Sequence, residues 1–235
     1  MKSLTVVIPA YNEEGNLEAT VREVMAAAAP RFEACELIVI DDKSRDATGE
    51  IADRLAAGDA RVRAIHNERN QGLGWNFRRG IELARMEYVA MVPGDNAFDR
   101  EALTKLFDAV GAADIVAGWT VNMEVRPMSR RLVSWCFTNG MNLLFGLKQK
   151  YFNGPCVFRT ADAMKARSSS DGFAYMAEML VRLLVSGRTV KEVGLVLHER
   201  QSGRSAAFRP KNVSSVFRTV GRLFWDIRIR RQRLA

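Results

Sequence analysis

The chain has 235 residues, of which 48% are hydrophobic and 26% charged, a composition that excludes a disordered or collagen-like protein. Its three cysteines are odd in number and lack metal-ligand spacing, which argues against a disulfide scaffold and a zinc site. The formal net charge is +8, and residues 200–235 hold ten lysines and arginines against one acid, so an anionic partner is expected to meet the C-terminal end.

The N-terminus begins directly with an apolar run and lacks the basic region and cleavage site of a secretory signal. The longest uncharged stretch, Leu132–Leu147, is interrupted by polar residues and is too short for a spanning helix. We therefore expect a cytoplasmic protein that is soluble or peripheral on the inner face of the membrane.

In chain order, the first half alternates short apolar runs with segments of helical periodicity. The predicted strands are Leu4–Pro9, Leu37–Ile40, Val62–Ile65, Tyr88–Val92 and Ile115–Ala117, and the predicted helices are Leu17–Ala29, Ala47–Ala57, Trp75–Arg85 and Arg100–Val110. Alternation at this spacing predicts an α/β fold with a parallel, doubly wound sheet.

After Trp119 the pattern changes. It predicts a helix over Ser129–Phe145, a strand near Cys156–Phe158, a helix over Phe173–Ser186 and a strand over Val190–Leu197. No repeat or low-complexity linker divides the chain, so residues 1–210 are predicted to form one domain. Its halves, 1–118 and 119–210, would supply the two walls of a cleft.

Residues 211–235 are predicted to form a basic amphipathic helix. Its apolar stripe consists of Val213, Val216, Phe217, Val220, Leu223, Phe224 and Ile227. One interpretation places the stripe on an anionic membrane surface, and the other packs it on the domain so that only the last arginines meet lipid. Nucleic acid is a less suitable partner, because an apolar stripe favours docking on protein or lipid.

Polar clusters follow the first four predicted strands at residues 11–14, 41–44, 70–74 and 93–96. Ligands of parallel sheets bind beyond the carboxyl ends of the strands, so these clusters are predicted to line one rim. Asp41 and Asp42 can accept hydrogen bonds from ribose hydroxyls or a base N–H. Two adjacent acids at a buried strand end repel each other without a ligand or cation.

Four segments carry a resemblance to a known family: VVIPAYNEE at 6–14, VIDDKSRDAT at 39–48, NQGLG at 70–74 and ERQSGRS at 199–205. With these motifs in this order, the chain resembles the family-2 glycosyltransferases of the GT-A fold, in particular polyprenyl-phosphate enzymes similar to dolichol-phosphate mannosyltransferases. The resemblance implies a Rossmann-like, mostly parallel sheet, with residues 1–118 as the nucleotide-binding half and 119–210 as the acceptor half.

The resemblance also implies inverting transfer of a sugar from a UDP- or GDP-linked donor to a polyprenyl phosphate. The residues expected to bind the donor are Pro9, Tyr11, Glu13, Asp41, Asp42, Gly72 and Gly74. The two glycines would let the backbone pass close to the nucleoside. Their alternative interpretation is a turn and a helix start.

One motif departs from the family pattern. The family carries Asp-x-Asp for Mg²⁺ or Mn²⁺ after the fourth strand, whereas this chain has Pro93-Gly94-Asp95. Asp95, helped by Asn96 or Asp99, is predicted to hold the cation against the diphosphate and so to serve catalysis. The alternative is a Pro-Gly turn followed by a helix-capping aspartate.

By the same resemblance, basic residues neutralise the phosphates and an acid faces the acceptor. The predicted phosphate- and acceptor-binding residues are Arg126, Arg131, Arg200, Arg204 and Ser205. Glu178 is the candidate general base if the acceptor is a hydroxyl, and has an orienting or surface role if the acceptor is a phosphate. Two alternative functions stay open, namely transfer to a saccharide or other hydroxyl, and nucleotide-sugar binding with weak catalysis.

Overall fold

The computed structural model describes residues 2–172, 174–197 and 210–230. The strands are β1 (Ser3–Ala10), β2 (Ala34–Asp41), β3 (Val62–His66), β4 (Tyr88–Met91), β5 (Ile115–Thr120), β6 (Cys156–Arg159) and β7 (Val190–Leu195). The helices are α1 (Leu17–Ala28), α2 (Thr48–Gly58), α3 (Leu73–Leu83), α4 (Arg100–Asp108), α5 (Met128–Phe145), α6 (Thr160–Lys165), α7 (Tyr175–Val185) and α8 (Pro210–Phe224). A 3₁₀ turn (Met123–Val125) precedes α5, and a π-helical turn (Trp225–Ile229) continues α8.

The seven strands form one sheet in the order β3-β2-β1-β4-β6-β5-β7. Every pairing is parallel except the two made by β6, which runs antiparallel to β4 and β5. The carboxyl ends of all the other strands therefore lie at the same edge, which we call the carboxyl edge. This arrangement confirms the predicted mostly parallel α/β sheet.

Buried side chains pack on both faces of the sheet. Along β1, Val6 and Ile8 belong to the cluster that includes α1 and α4, whereas Val7 belongs to the cluster that includes α3 and α7. This alternation follows from the two-residue period of a strand. An added Cβ at Gly80 would lie 2.4 Å from Val7 Cγ2, so α3 packs directly on the sheet. The carboxyl edge is thus supported by helices on both sides.

The predicted helices and strands agree with the structure apart from their ends and one short helix. α3 begins at Leu73, two residues before the predicted start, because Gly72 has a left-handed φ of 90° and caps the helix. The six-residue helix α6 has no counterpart in the prediction, since it is too short to show a helical period. Its first residue is fixed by a hydrogen bond from Thr160 Oγ1 to the carbonyl of Met86.

A C-terminal helix is confirmed as far as Ile229, and much of its apolar stripe faces the domain. Residues 231–235 of the predicted helix lie outside the described residues. Leu223 and Ile227 are buried, and the ring of Phe224 packs on that of Phe145 at a centroid distance of 6.4 Å. Phe217 instead is 74% exposed. The interpretation in which the stripe packs on the domain is therefore correct for Leu223, Phe224 and Ile227. Among the described helices, none has the length and apolar character needed to cross a bilayer.

Candidate active site

Side chains in the loops after β1 and β2 bind backbone groups of the opposite loop. The backbone N–H of Asn12 donates to Ser44 Oγ at 3.0 Å, and Asn12 Oδ1 accepts from the backbone N–H of Arg45 at 2.8 Å. Asn12 has a φ of 55°, a conformation that asparagine tolerates better than most residues. These bonds hold the two loops side by side at the carboxyl edge and leave the ring of Tyr11 exposed.

Pro9 and Glu13 connect the end of β1 to its neighbours. Pro9 is buried, and its carbonyl accepts a hydrogen bond from Gly94 N–H at 3.0 Å, which ties β1 to the loop after β4. The backbone N–H of Glu13 donates to Thr48 Oγ1 at 2.8 Å, and its carboxylate accepts from Asn16 Nδ2 at 2.7 Å. Both residues therefore fix the positions of adjacent loops.

Asp42 is buried and holds the loop that follows β3. Its Oδ1 accepts hydrogen bonds from Asn67 Nδ2 and from the backbone N–H of Gln71, both at 2.8 Å, and its Oδ2 accepts from Gly72 N–H at 2.9 Å. The pair of acids was expected to need a ligand or cation. These three protein donors already compensate the charge of Asp42.

Asp41 is buried beside a histidine and a second acid. Its Oδ1 accepts from the backbone N–H of Ser44 at 3.0 Å, and its Oδ2 lies 3.4 Å from His66 Nδ1. The other ring nitrogen of His66 lies 2.9 Å from Asp53 Oδ1. The hydrogen bond to Asp53 raises the pKa of His66, and Asp41 acts in the same direction against the effect of burial.

The glycines at 72 and 74 lie against the backbone of residues 168–171, which we call the serine segment. An added Cβ would lie 2.7 Å from the carbonyl oxygen of Asp171 at Gly72 and 2.2 Å from that of Ser170 at Gly74. Gly74 N–H also donates to the Asp171 carbonyl at 3.0 Å. The turn and helix start considered for these glycines are thus present. Their predicted approach to a nucleoside stays a prediction.

Asp95 and Asn96 follow β4 at the carboxyl edge. Asp95 is buried, and α4 is capped by Asp99, whose carboxylate accepts from Ala102 N–H at 2.8 Å. The alternative interpretation of Asp95 as the helix cap is therefore wrong. Asn96 has a φ of 51°, and within the described part of the chain its buried Oδ1 has no hydrogen-bond partner.

The oxygens of Asp95 and Asn96 are the hard ligands that Mg²⁺ and Mn²⁺ accept. In residues 2–172, 174–197 and 210–230, no three histidine, cysteine, aspartate or glutamate side chains come together as a metal site. One carboxylate and one unsatisfied amide oxygen fit a cation that takes its other ligands from a diphosphate and water. They do not fit a cation held by protein ligands alone.

Glu178, near the start of α7, is 1% exposed, and both its oxygens accept hydrogen bonds. Ser168 Oγ and Ser169 Oγ donate at 2.6 and 3.0 Å, and Arg182 donates through Nε and Nη2 at 3.2 and 3.0 Å. A proton acceptor for a substrate hydroxyl would have to give up these bonds. The arrangement instead fixes the serine segment.

Arg126 follows β5 and therefore lies at the carboxyl edge. Its Nη1 donates to Tyr151 Oη at 3.0 Å, while its buried Nε has no hydrogen-bond partner among the described residues. Arg131 is exposed in the first turn of α5. The remaining predicted phosphate-binding residues lie outside the described residues: Arg200, Arg204 and Ser205.

The residues that shape the loop after β3 were not predicted from the sequence. Asn67 Nδ2 bridges Asp42 and Asn76 Oδ1, at 2.8 and 2.7 Å. Its position directly after a strand was the available signal. Serines 168 and 169 carried no such signal, because their partner Glu178 lies on another element.

The outward face of α5 was missed as well. Apolar side chains at helical spacing are exposed there: Met128, Leu132, Trp135 and Leu143. Met141 and Phe145, on the opposite side of the helix, are buried. Arg228 Nε donates to the carbonyl of Leu144 at 3.1 Å, so the π-helical turn lies beside the end of α5. The exposed apolar side chains therefore share one side of α5, with the exposed Asn139 between Trp135 and Leu143.

Comparison with known proteins agrees with this arrangement. The profile described as glycosyl transferase family 2 matches residues 5–173. The chain is 30% identical over 217 residues to the undecaprenyl-phosphate mannosyltransferase of Micrococcus luteus, covering 87% of each chain. It is 30% identical over 246 residues to the polyprenol monophosphomannose synthase of Mycolicibacterium smegmatis, covering 97% of this chain and 88% of that protein.

Among solved structures, the fold is similar to glucosyl-3-phosphoglycerate synthase from Mycobacterium tuberculosis, crystallised in complex with Mg²⁺ and uridine diphosphate. The TM-score is 0.71 at 19% sequence identity, and the alignment covers 94% of this chain and 79% of that one. The likeness establishes the GT-A fold predicted from the motifs.

Proposed function

The chain belongs to glycosyl transferase family 2 and is a glycosyltransferase, and we propose that it moves a sugar from a nucleotide-sugar to a polyprenyl phosphate with inversion at the sugar carbon. The observation that carries the proposal is the similarity, over nearly the whole of both chains, to enzymes named for polyprenyl-phosphate mannose transfer. An oxygen of the acceptor phosphate attacks the anomeric carbon. The bond from that carbon to the donor diphosphate breaks, and a nucleoside diphosphate leaves.

The donor nucleoside diphosphate binds at the carboxyl edge, between the loops after β1, β2 and β3. The exposed ring of Tyr11 offers a stacking surface, and Asp41, which pairs with Ala10 at the end of β1, is proposed to bind the nucleoside hydroxyls. Asp42 contributes through the loop it holds, since Gly72 depends on its carboxylate. Pro9 and Glu13 act in the same way, because each ties its strand end to a neighbouring loop.

Asp95 and Asn96 would hold a divalent cation, Mg²⁺ or Mn²⁺, together with the donor diphosphate. The bound cation neutralises the negative charge that develops on the leaving group. The partnerless Oδ1 of Asn96 supports this placement, because a buried polar atom without a partner is costly. Arg200, Arg204 and Ser205 are proposed to add to this charge compensation.

The engagement of Glu178 favours a phosphate acceptor over a hydroxyl acceptor. A hydroxyl has to lose a proton to a base, whereas a phosphate is already ionised. Both Glu178 oxygens accept hydrogen bonds from serines or Arg182. Arg126, whose Nε is buried without a partner among the described residues, is proposed to bind the acceptor phosphate, with Arg131 nearby in sequence.

We further propose that the enzyme works on the cytoplasmic face of a membrane, where polyprenyl phosphates are embedded. Two exposed apolar surfaces support this: the outward face of α5, and the C-terminal residues Phe217, Trp225 and Ile229. Exposed arginines accompany them at positions 218, 222, 228 and 230. The apolar side chains can enter the lipid while the neighbouring arginines pair with anionic headgroups, so both surfaces suit an anionic membrane.

Transfer assays with radiolabelled UDP- and GDP-sugars test the proposal. The purified protein is incubated with polyprenyl phosphate in anionic vesicles, and parallel reactions contain the free saccharide or the polyprenyl alcohol instead. We expect label in the polyprenyl phosphate product only, and faster transfer with Mn²⁺ or Mg²⁺ present. Label in the saccharide or alcohol product would favour a hydroxyl acceptor, and nucleotide binding without transfer would favour a binding protein.

A further inference from the structure

Arg182 on α7 joins the serine segment to the C-terminal end of the chain. Its Nε and Nη2 donate to Glu178 Oε1 at 3.2 and 3.0 Å, and Nη2 also lies 3.4 Å from Asp226 Oδ2. Asp226 belongs to the π-helical turn that continues α8. One guanidinium therefore pairs with an acid that holds the serine segment and with an acid of the C-terminal helix.

We propose that Arg182 is a positioning residue that couples the packing of the C-terminal helix to the donor site. By bridging Asp226 and Glu178, it keeps the serine segment against Gly72 and Gly74. Donor binding then depends on whether the C-terminal helix is in place. The inference rests on the proposed donor site, since the glycine loop is part of it.

The serine segment depends on bonds from other elements, which is why Glu178 can control it. Arg78 of α3 donates through Nη1 to the carbonyl of Ser168 at 2.8 Å and through Nη2 to Asp171 Oδ1 at 2.5 Å. Ser168 Oγ, in turn, donates to Glu178 and accepts from Ser170 N–H at 3.0 Å. Glu178 is therefore connected through Ser168 to Ser170, whose carbonyl lies against Gly74.

Burial makes the bridge sensitive to its partners. Glu178 is almost fully buried, and a buried carboxylate needs its counter-charge and hydrogen bonds in place. Arg182 can serve Glu178 fully only if its own position is fixed, and Asp226 fixes it from the C-terminal side. Loss of the Asp226 charge frees the guanidinium to turn towards solvent and weakens its hold on Glu178.

The C-terminal helix also approaches the serine segment directly. An added Cβ at Gly172 would lie 3.4 Å from Ser215 Oγ of α8. The helix therefore lies beside Gly172, the residue after the serine segment, and through Asp226 it pairs with Arg182. Both placements bring the C-terminal helix close to the residues that hold the serine segment.

The test compares Asp226→Asn and Asp226→Glu with the control Asp162→Asn. Asp162 is the matched control because it lies on a helix, α6, and its side chain is buried to a similar extent as that of Asp226. It pairs with Arg188 at 2.7 Å. For each variant, hydrogen–deuterium exchange of residues 168–172 is measured without ligand, together with the donor KM, kcat and the urea unfolding midpoint.

We expect Asp226→Asn to accelerate exchange in residues 168–172 and to raise the donor KM about 2- to 30-fold, with little change in kcat. Asp226→Glu, which keeps the carboxylate, should have the exchange rate and the donor KM of the wild type. Asp162→Asn should lower the unfolding midpoint without moving exchange or KM. Unchanged exchange in Asp226→Asn, or equal changes in Asp162→Asn, would overturn the coupling.

Failure of the wild-type protein to bind any nucleotide would overturn the proposed donor site, whereas the exchange measurement tests the coupling without ligand.

Discussion

The carboxylate of Asp42 accepts a hydrogen bond from the backbone N–H of Gly72 at 2.9 Å, across thirty residues of sequence. The same carboxylate binds Asn67 and Gln71. An acid at the end of one strand thus determines the path of the loop after the next strand. In the proposed function, Asp42 acts on the donor through this loop.

Replacing Asp42 by alanine should therefore damage the loop and the donor site together. Three donors lose a charged acceptor, and hydrogen bonds to charged groups are worth about 1.5–3 kcal/mol each. We expect the free energy of unfolding to fall by at least the roughly 1.5–3 kcal/mol of one such bond, and nucleotide binding to weaken. Urea denaturation and titration with UDP and GDP measure the two effects.

Asp108→Asn is the control, because Asp108 pairs with Arg31 at 2.7 Å on the exposed surface. Loss of such a pair should cost less than about 1 kcal/mol. If Asp42→Ala costs no more than this control and nucleotide affinity is unchanged, the loop does not depend on Asp42.

Gly74→Ala should be destabilising although alanine is the better helix former. The new Cβ would lie 2.2 Å from the carbonyl oxygen of Ser170 and 2.9 Å from Tyr175 Cβ. Backbone has to move, at a cost of about 1–3 kcal/mol. The serine segment is then displaced and nucleotide affinity falls.

The matched control is Gly140→Ala, which places alanine inside α5 where an added Cβ meets no atom within 4 Å. That variant should be more stable by about 0.5–1 kcal/mol. Unfolding curves that move in the same direction for both variants would contradict the packing argument at Gly74.

Much of this fold could be predicted from the sequence, because a parallel strand needs an apolar run and a following helix needs a 3.6-residue period. Periodicity does not report strand direction, so the antiparallel β6 was not predictable from Cys156–Phe158 alone. The same limit applies to α5: its sequence is apolar on two sides, and only the packing of Met141 and Phe145 shows which side remains outside.

The candidate site divides in the same way. Its positions at strand ends were predictable, since the carboxyl edge of a parallel sheet collects them. The partners of Asp42 and Glu178 were not, because hydrogen bonds between elements depend on loop paths that carry no periodic signal.

Asp95→Ala should remove the response of donor binding to Mg²⁺ or Mn²⁺. The two residues before it are Pro93 and Gly94, and neither has a carboxylate that could replace that of Asp95. The affinity for the metal should fall at least as much as on removal of an outer-shell partner at metal sites, which costs roughly 10- to 100-fold. Titration of UDP and GDP with and without Mn²⁺ measures it.

Asp99→Ala is the control for Asp95→Ala. It removes the cap of α4, so stability should fall by about 0.5–2 kcal/mol while the effect of Mn²⁺ on binding persists. An undiminished Mn²⁺ effect in Asp95→Ala would assign the cation to other residues.

The stabilising contribution of His66 should depend on pH. Contact with Asp53 and Asp41 raises the pKa of His66 in the folded protein above its unfolded value of about 6.5. The contribution is therefore fully present below that unfolded value and is lost as pH rises through the folded pKa. Unfolding free energies of the wild type and His66→Gln, measured from pH 5 to 9, should differ most at low pH. A difference that is constant with pH would show that His66 does not titrate with its acids.

The last prediction concerns the two apolar surfaces on α5 and the C-terminal helix. Removing the whole C-terminal helix would also remove the buried Leu223 and Ile227, so point substitutions are the cleaner test. Leu143→Ser and Phe217→Ser change residues that are 85% and 74% exposed and should leave stability nearly intact.

Each such side chain contributes about 1.5–3 kcal/mol when it leaves water, so either substitution should weaken binding to anionic vesicles roughly ten-fold or more. High salt should weaken vesicle binding by the wild-type protein, because salt screens the charges of the neighbouring arginines. Met164→Ser, at an exposed position on α6, should bind like the wild type.

Loss of binding in Leu143→Ser alone would assign the surface to α5, and loss in Phe217→Ser alone would assign it to the C-terminal helix. Equal vesicle binding by all three variants would exclude both surfaces, and a soluble acceptor would then be the better interpretation.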